Sequence, residues 1–314
     1  MSFTFPAKSI VEEAHARIKP YIHRTPLLTC KSIDNMLGSR VYFKCENFQK
    51  IGAFKARGAT NAIFQLSDAV ESVATHSSGN HAQAVAYAAN LRGLKAYIVM
   101  PQTAPKVKVK AVKGYGAKVI FCEPNQTARE NTLSEVVADT GATFIHPYDN
   151  NAVICGQASA AKELIEDTEP LDYLVVPVGG GGLLAGTALS AKYFSPSTKV
   201  IAGEPEGADD AYQSLIAGKI LPANNPKTIA DGLLTSLGKR NFPIIQTLVG
   251  GIITVSDTEI IAAMRIIWER MKIIIEPSCA VPLAVLIKEK SQYKELKIGV
   301  ILTGGNVDLD KLPF

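Results

Sequence analysis

Tyr173-Leu174-Val175-Val176-Pro177-Val178, followed at once by Gly179-Gly180-Gly181-Gly182 and then Leu183, is the stretch from which the fold is read. The first part is a continuous apolar run of strand length, and Leu183–Tyr193 repeats apolar residues every three to four positions, as a helix covering a sheet does. Glycines at such a junction carry no Cβ, so the backbone can come close to a ligand and offer a cluster of N–H donors, to which the helix adds its positive end. A flexible turn is the ordinary reading of a glycine run. Placed between a buried strand and a helix, it reads better as a cup for a phosphate. The run lacks the Lys-Ser/Thr ending of a nucleotide loop and the spaced glycines of a dinucleotide fold, so a compact monophosphate fits it best.

The same pattern extends outward. Ala96–Val99, Lys118–Cys122, Thr143–Ile145, Val200–Gly203 and Ile298–Leu302 read as strands, and Ala82–Leu91, Thr127–Asp139, Ala158–Glu166 and Asp257–Met271 as the helices between them. Apolar strands alternating with helices predict an α/β protein with mostly parallel sheets buried on both faces, whose ligands sit beyond the carboxyl ends of the strands.

At 314 residues the chain suits two lobes sharing a cleft. Its 33 basic and 29 acidic residues are scattered, with no basic arm, which argues against nucleic acid as a partner. Met1 to Pro20 lacks the apolar centre of a signal peptide, and Cys279 to Ile287, the longest clean apolar stretch, contains Pro282 and is far shorter than the ~20 residues of a membrane span. Five cysteines without paired spacing predict neither a disulfide frame nor a zinc site. A soluble, cytoplasmic protein is expected.

Three further segments carry chemistry. Gly52-Ala53-Phe54-Lys55-Ala56-Arg57-Gly58 sets a lysine among small and apolar residues beside a ring, surroundings that lower the amine's pKa and free it for Schiff-base formation, although a lone lysine in such a stretch is more often a snorkelling surface residue. Thr75-His76-Ser77-Ser78-Gly79-Asn80-His81-Ala82-Gln83 places short donors at a helix start, where they could hold a carboxylate or simply cap the helix. Strand Ile298–Leu302 runs into Thr303-Gly304-Gly305-Asn306, a hydroxyl at a strand end. Separately, Glu204-Pro205-Glu206-Gly207-Ala208-Asp209-Asp210 packs acids after a strand; oxygen ligands suit Mg²⁺ or Ca²⁺, while the ordinary reading is a solvated acidic loop.

Taken in order and over essentially the full chain, these segments resemble the serine racemase and serine/threonine dehydratase family. The resemblance implies a two-domain fold type II pyridoxal phosphate enzyme, similar to the tryptophan synthase β-subunit, with residues 1–70 and 150–314 as the large cofactor-binding domain and 71–149 as the small one. It maps the cofactor-bearing lysine onto Lys55, the ring-covering aromatic onto Phe54, and the phosphate cup onto Gly179, Gly180, Gly181 and Gly182. Ser77, Ser78, Gly79, Asn80 and His81 take the part of the substrate-carboxylate clamp, with Asn80 also near the cofactor's phenolic oxygen, and Thr303 faces the pyridine nitrogen. A neutral hydroxyl there leaves the ring a weaker electron sink than an aspartate would. Arg129 resembles an arginine that reaches the substrate and could serve a second carboxylate.

The implied substrate is a small hydroxyl amino acid. Lys55 removes its Cα proton from one side; reprotonation from the other, by Ser78, inverts it, whereas loss of the β-hydroxyl leads to pyruvate and ammonia. Ser78 favours serine racemase with accompanying dehydratase activity. A threo-3-hydroxyaspartate or threonine dehydratase is the main alternative, a catalytically silent amino-acid sensor the non-enzyme one. Cysteine synthase-like replacement fits less well, because Asn80-His81 stands where those enzymes carry Asn-Thr. The family's divalent-cation ligands (Mg²⁺, Ca²⁺ or Mn²⁺) map onto Glu204, the carbonyl of Ala208, and Asp210. Its ATP effector site, at a homodimer interface, maps onto Gln83, Tyr115 and Lys272.

Overall fold

The computed structural model describes residues 4–77, 79–104 and 106–314. Among them the strands are, in chain order, β1 (Leu27–Thr29), β2 (Arg40–Cys45), β3 (Ser72–His76), β4 (Lys95–Pro101), β5 (Lys118–Cys122), β6 (Thr143–Phe144), β7 (Tyr173–Pro177), β8 (Lys199–Pro205), β9 (Ile252–Val255) and β10 (Lys297–Leu302). They form a six-stranded sheet, β1-β2-β10-β7-β8-β9, and a four-stranded sheet, β5-β4-β3-β6. Only the β1–β2 pair is antiparallel. The α/β class with mostly parallel sheets flanked by helices is thus observed.

The larger sheet is buried on both faces. Helices Asp257–Met271 and Pro277–Lys288 close one side over Val175, Val300 and Leu302. Helices Asn151–Glu166 and Gly182–Phe194 close the other over Leu174, Val176 and Ile301. On the smaller sheet, helices Asn80–Leu91 and Lys106–Gly114 cover Ile98 and Met100, and Gln126–Thr140 covers Ala74 and Val99. Helix Lys55–Phe64 lies between the two units, packed on Asn80–Leu91 and on Asn151–Glu166. It approaches the latter so closely that a Cβ on Gly156 would lie 2.7 Å from the Gly58 Cα. Only glycine allows that spacing.

The apolar stretch Cys279 to Ile287 lies inside the helix Pro277–Lys288, which carries Pro282 in its interior. An interior proline costs about 3 kcal/mol, but each fully buried apolar side chain returns roughly 1.5–3 kcal/mol, and Val281, Leu283, Val285 and Leu286 are all buried. Asn151–Glu166 begins seven residues before the expected start at Ala158, because the Asn150 side chain caps it by accepting from Ala152 N and Val153 N. Among the described residues, no helix is long and apolar enough to cross a membrane.

Candidate active site

Lys55 opens its helix at the carboxyl end of the larger sheet. Phe54 N donates to Thr303 O (3.0 Å) just beyond β10, and Ala53 bridges Gly304, so the lysine is tied to the strand end by backbone. Its Nζ donates to Pro147 O (2.9 Å) and lies 5.2 Å from the centre of the Phe54 ring. Burial pulls the amine down to about 8, against the opposing pull of Glu276. A lysine so placed is readily neutral, as a nucleophile and base must be.

Two residues along, Arg57 is fully buried. It donates to both oxygens of Glu46 (2.7 and 2.8 Å), to both of Glu163 (2.9 and 2.7 Å) and to Ser159 Oγ (3.0 Å). Lys44 adds an ion pair to Glu163 at 2.7 Å. Two cations and two carboxylates cancel, which is what allows them inside. This network anchors the first turn of the lysine's helix.

The glycine turn follows β7, the neighbour of β10. Gly181 has φ +88°, and a Cβ on Gly180 would lie 2.4 Å from the Tyr148 ring, so both positions demand glycine. Asn241 Nδ2 (2.6 Å) and Gly238 N (3.1 Å) both donate to Gly180 O. The trans peptide then turns the Gly181 N–H the opposite way, into the space before helix Gly182–Phe194. That is the donor geometry of an anion cup.

Thr303 is 3% exposed, and its Oγ finds no hydrogen-bonding oxygen or nitrogen among the described residues; the Cys279 thiol lies within reach of it. An unsatisfied hydroxyl at a strand end, between the lysine and the glycine turn, fits the nitrogen of a heteroaromatic ring. Phosphate cup, amine and orphan hydroxyl together match the functional groups of pyridoxal phosphate. Beside them Asn80 Nδ2 donates to Glu276 (2.8 and 3.2 Å), and Asn306 Nδ2 donates to Asn80 Oδ1 (2.9 Å).

Ser77, Gly79, Asn80 and His81 run from the end of β3 into helix Asn80–Leu91, while Ser78 lies outside the described residues. The first N–H groups of a helix have no partners within it, and they can take a carboxylate. The His81 ring is turned away: Nε2 lies 3.1 Å from Ile145 O, and Nδ1 is buried without a partner among the described residues. The Nε2 proton is thereby spent on Ile145, so any donation by His81 to an anion comes from its main chain. His76, Phe144, His146 and Tyr148 stack in sequence alongside, with ring centres 5.8, 5.5 and 4.7 Å apart. Burial lowers His146 to about 4, and its neutral Nδ1 accepts from Asp149 N at 2.9 Å. Arg129, in the first turn of Gln126–Thr140, leaves its buried Nε without a partner among the described residues, and its charge reaches His76.

Glu204, near the end of β8, and Asp210, at the head of the helix Asp210–Ala217, are both buried, and the Asp210 charge reaches Tyr148. Glu204 accepts from Ala211 N (2.9 Å) and Tyr212 N (2.8 Å), whereas the Asp210 oxygens make no well-formed hydrogen bond among the described residues and have only the residue's own N–H and that of Leu237 nearby. Burial pushes Glu204 up to about 8 and Asp210 up to about 7. Among the described residues no cluster of three or more His, Cys, Asp or Glu side chains forms a metal centre, so a hard divalent cation here would draw on these two carboxyls and the carbonyl of the buried Ala208 on the turn between them. Gln83 is buried on Asn80–Leu91, Tyr115 packs edge-on against Tyr87 (5.8 Å), and the exposed Lys272 ends Asp257–Met271; they stand on separate elements.

Sequence reasoning passed over Glu276, Tyr148, the Pro147 carbonyl and Asn241. Glu276 carried a signal: an acid directly before Pro277 at the head of an apolar run is unusual unless it caps a helix or serves a site. The others declare themselves only through tertiary contact.

The model of the family described as pyridoxal-phosphate dependent enzyme matches residues 18–304. A β-hydroxyaspartate dehydratase of Paracoccus denitrificans is 51% identical over 303 residues, covering 96% of this chain and 96% of the relative. A serine racemase of Dictyostelium discoideum is 50% identical over 308 residues, covering 96% and 95%. The crystal structure of serine racemase from Dictyostelium discoideum superposes with a TM-score of 0.92 at 50% identity, covering 96% of this chain and 98% of that one.

Proposed function

The chain belongs to the pyridoxal-phosphate dependent enzymes, and on that premise we propose that it is a serine racemase that also dehydrates L-serine to pyruvate and ammonia. The observation that carries this reading is the meeting of a buried, readily neutral Lys55, a Thr303 hydroxyl with no oxygen or nitrogen partner among the described residues, and the Gly179–Gly182 turn at the ends of adjacent parallel strands. Bound there, the cofactor supplies an electron sink for the bond between Cα and its hydrogen.

Lys55 holds the cofactor and takes or returns the Cα proton on its own side, with Phe54 against the ring. Gly179, Gly180, Gly181 and Gly182 hold the phosphate, Thr303 meets the ring nitrogen, and Asn80 meets the ring oxygen. The main-chain donors of Ser77 to His81 hold the substrate carboxylate. Ser78 returns the proton on the far side, a role resting on the family's loop.

A second reading, dehydration of threo-3-hydroxyaspartate, is favoured by Arg129. Its buried Nε, without a partner among the described residues, could take a second carboxylate. Glu204, Asp210 and the Ala208 carbonyl would hold Mg²⁺, Ca²⁺ or Mn²⁺. We further take the enzyme to be a cytoplasmic homodimer, with ATP as effector at Gln83, Tyr115 and Lys272. Gln83 supports that link, lying one turn from Asn80 on the same helix.

Purified protein given L-serine, D-serine, L-threonine and both 3-hydroxyaspartates, with chiral analysis of products, tests the reading. Interconversion of serine enantiomers with accompanying pyruvate is expected. Turnover of 3-hydroxyaspartate alone would replace the racemase by the dehydratase.

A further inference from the structure

Glu276 is 5% exposed, belongs to none of the roles above, and caps no backbone group of its own helix with its side chain. Its carboxylate receives Asn80 Nδ2 at 2.8 and 3.2 Å and the main-chain N–H of Asn306. Its own N–H donates to Gly304 O (3.0 Å), and a Cβ on Gly304 would lie only 2.7 Å from Glu276 Oε1. Glycine at that position makes room for the carboxylate.

These contacts form a chain with one direction. It starts at the carbonyl of Ile51, which can only accept, and which takes a 2.7 Å bond from Asn306 Nδ2. The same nitrogen donates to Asn80 Oδ1 at 2.9 Å, leaving Asn80 Nδ2 to face Glu276. Were the Asn80 amide reversed, its oxygen would meet the carboxylate and its nitrogen would meet the Asn306 nitrogen, two unfavourable contacts for two lost bonds. The residues come from three regions, 196 and 226 positions apart in the chain. We propose that Glu276 is a positioning residue for the cofactor: it ends this relay and thereby fixes the Asn80 amide with one N–H on the carboxylate and the other directed at the ring oxygen.

The inference rests on the pyridoxal phosphate reading, and on Asn80 as the partner of the ring oxygen. Burial and the charge of Asp231 work against the Glu276 anion, while Asn80, Lys108 and the Asn306 N–H favour it. The carboxylate therefore depends on the donors it orders.

The test is a double-mutant cycle on the holoenzyme, read by the dissociation constant for pyridoxal phosphate and by the visible absorption of the bound cofactor. Glu276→Gln keeps the volume but turns an amino group toward one of the donors. It is expected to weaken cofactor binding by about 10- to 100-fold, as loss of one hydrogen bond to a charged group does, and to shift the absorption band. Asn80→Ala should do the same. In the Asn80→Ala background, Glu276→Gln should add less than about threefold, because residues acting through one contact are not additive. Asn306→Ala, which frees the other end of Asn80, should reproduce the loss and carries the cycle should Glu276→Gln fold poorly. An undiminished effect of Glu276→Gln in the Asn80→Ala background would overturn the relay, as would unchanged affinity and absorption in the single variants. A wild-type protein that bound no pyridoxal phosphate would overturn the relay and the functional reading together.

Discussion

The Lys55 amine donates to the carbonyl oxygen of Pro147 at 2.9 Å, and among the described residues that neutral oxygen is its one hydrogen-bond acceptor. A carbonyl offsets little of the cost of burying an ammonium, so the lysine falls from 10.5 to about 8. The amine is then charged below about pH 8 and neutral above it. Cofactor-stripped protein should recapture pyridoxal phosphate at a rate rising ~10-fold per pH unit up to about pH 8 and level beyond. Stopped-flow absorbance at a series of pH values reads this directly. An inflection near the ordinary lysine value would contradict the environment assigned to Lys55.

Arg57 tests the buried network. Arg57→Ala leaves Glu46 buried without its cation and Glu163 with only Lys44 of its two cations, and should cost ~3–5 kcal/mol of unfolding free energy in urea titration. Arg265→Ala, removing an exposed pair with Glu269, should cost at most ~1 kcal/mol. Equal losses would mean that the interior charges carry no special weight.

Divalent cation should stabilise the protein by binding only its folded form, with the gain following the logarithm of free cation above the dissociation constant. Mg²⁺, Ca²⁺ or Mn²⁺ added to chelator-treated protein should raise the melting temperature, and Asp210→Asn should abolish the rise while leaving the metal-free protein no less stable. A melting curve indifferent to all three cations would remove the site.

Ser78→Ala separates the fates of the substrate. Removing a positioned acid typically costs ~10²- to 10⁴-fold, so D-serine formation should fall by about that factor and pyruvate formation much less. A serine that merely caps a helix is worth ~1 kcal/mol, and its loss would lower stability without moving the product ratio. An unchanged ratio would leave a dehydratase.

The parts of the molecule that a local pattern specifies were legible. β5 and the helix Asp257–Met271 fall where apolar periodicity placed them, and Gly179 to Gly182 form the expected turn after β7. β2 escaped notice because Arg40 and Lys44 interrupt its apolar run; Lys44 reads as a surface residue, yet is fully buried against Glu163. Lys55 was visible from its small and apolar neighbours, whereas the Glu276–Asn80–Asn306 contact joins three distant segments and has no local signature. The orientation of the His81 ring toward Ile145 likewise follows from the neighbouring strand end.

The pairing of Arg40 with Lys297 in the larger sheet has a consequence for biosynthesis. At ~5–20 residues per second, β2 leaves the ribosome some ten to fifty seconds before the strand that must lie beside it exists. Strands β3 to β6, by contrast, find every partner within the span Ser72–Phe144. The smaller sheet can therefore condense on the nascent chain, while the N-terminal strand pair waits with its apolar edge open, and chaperone demand should concentrate in that interval.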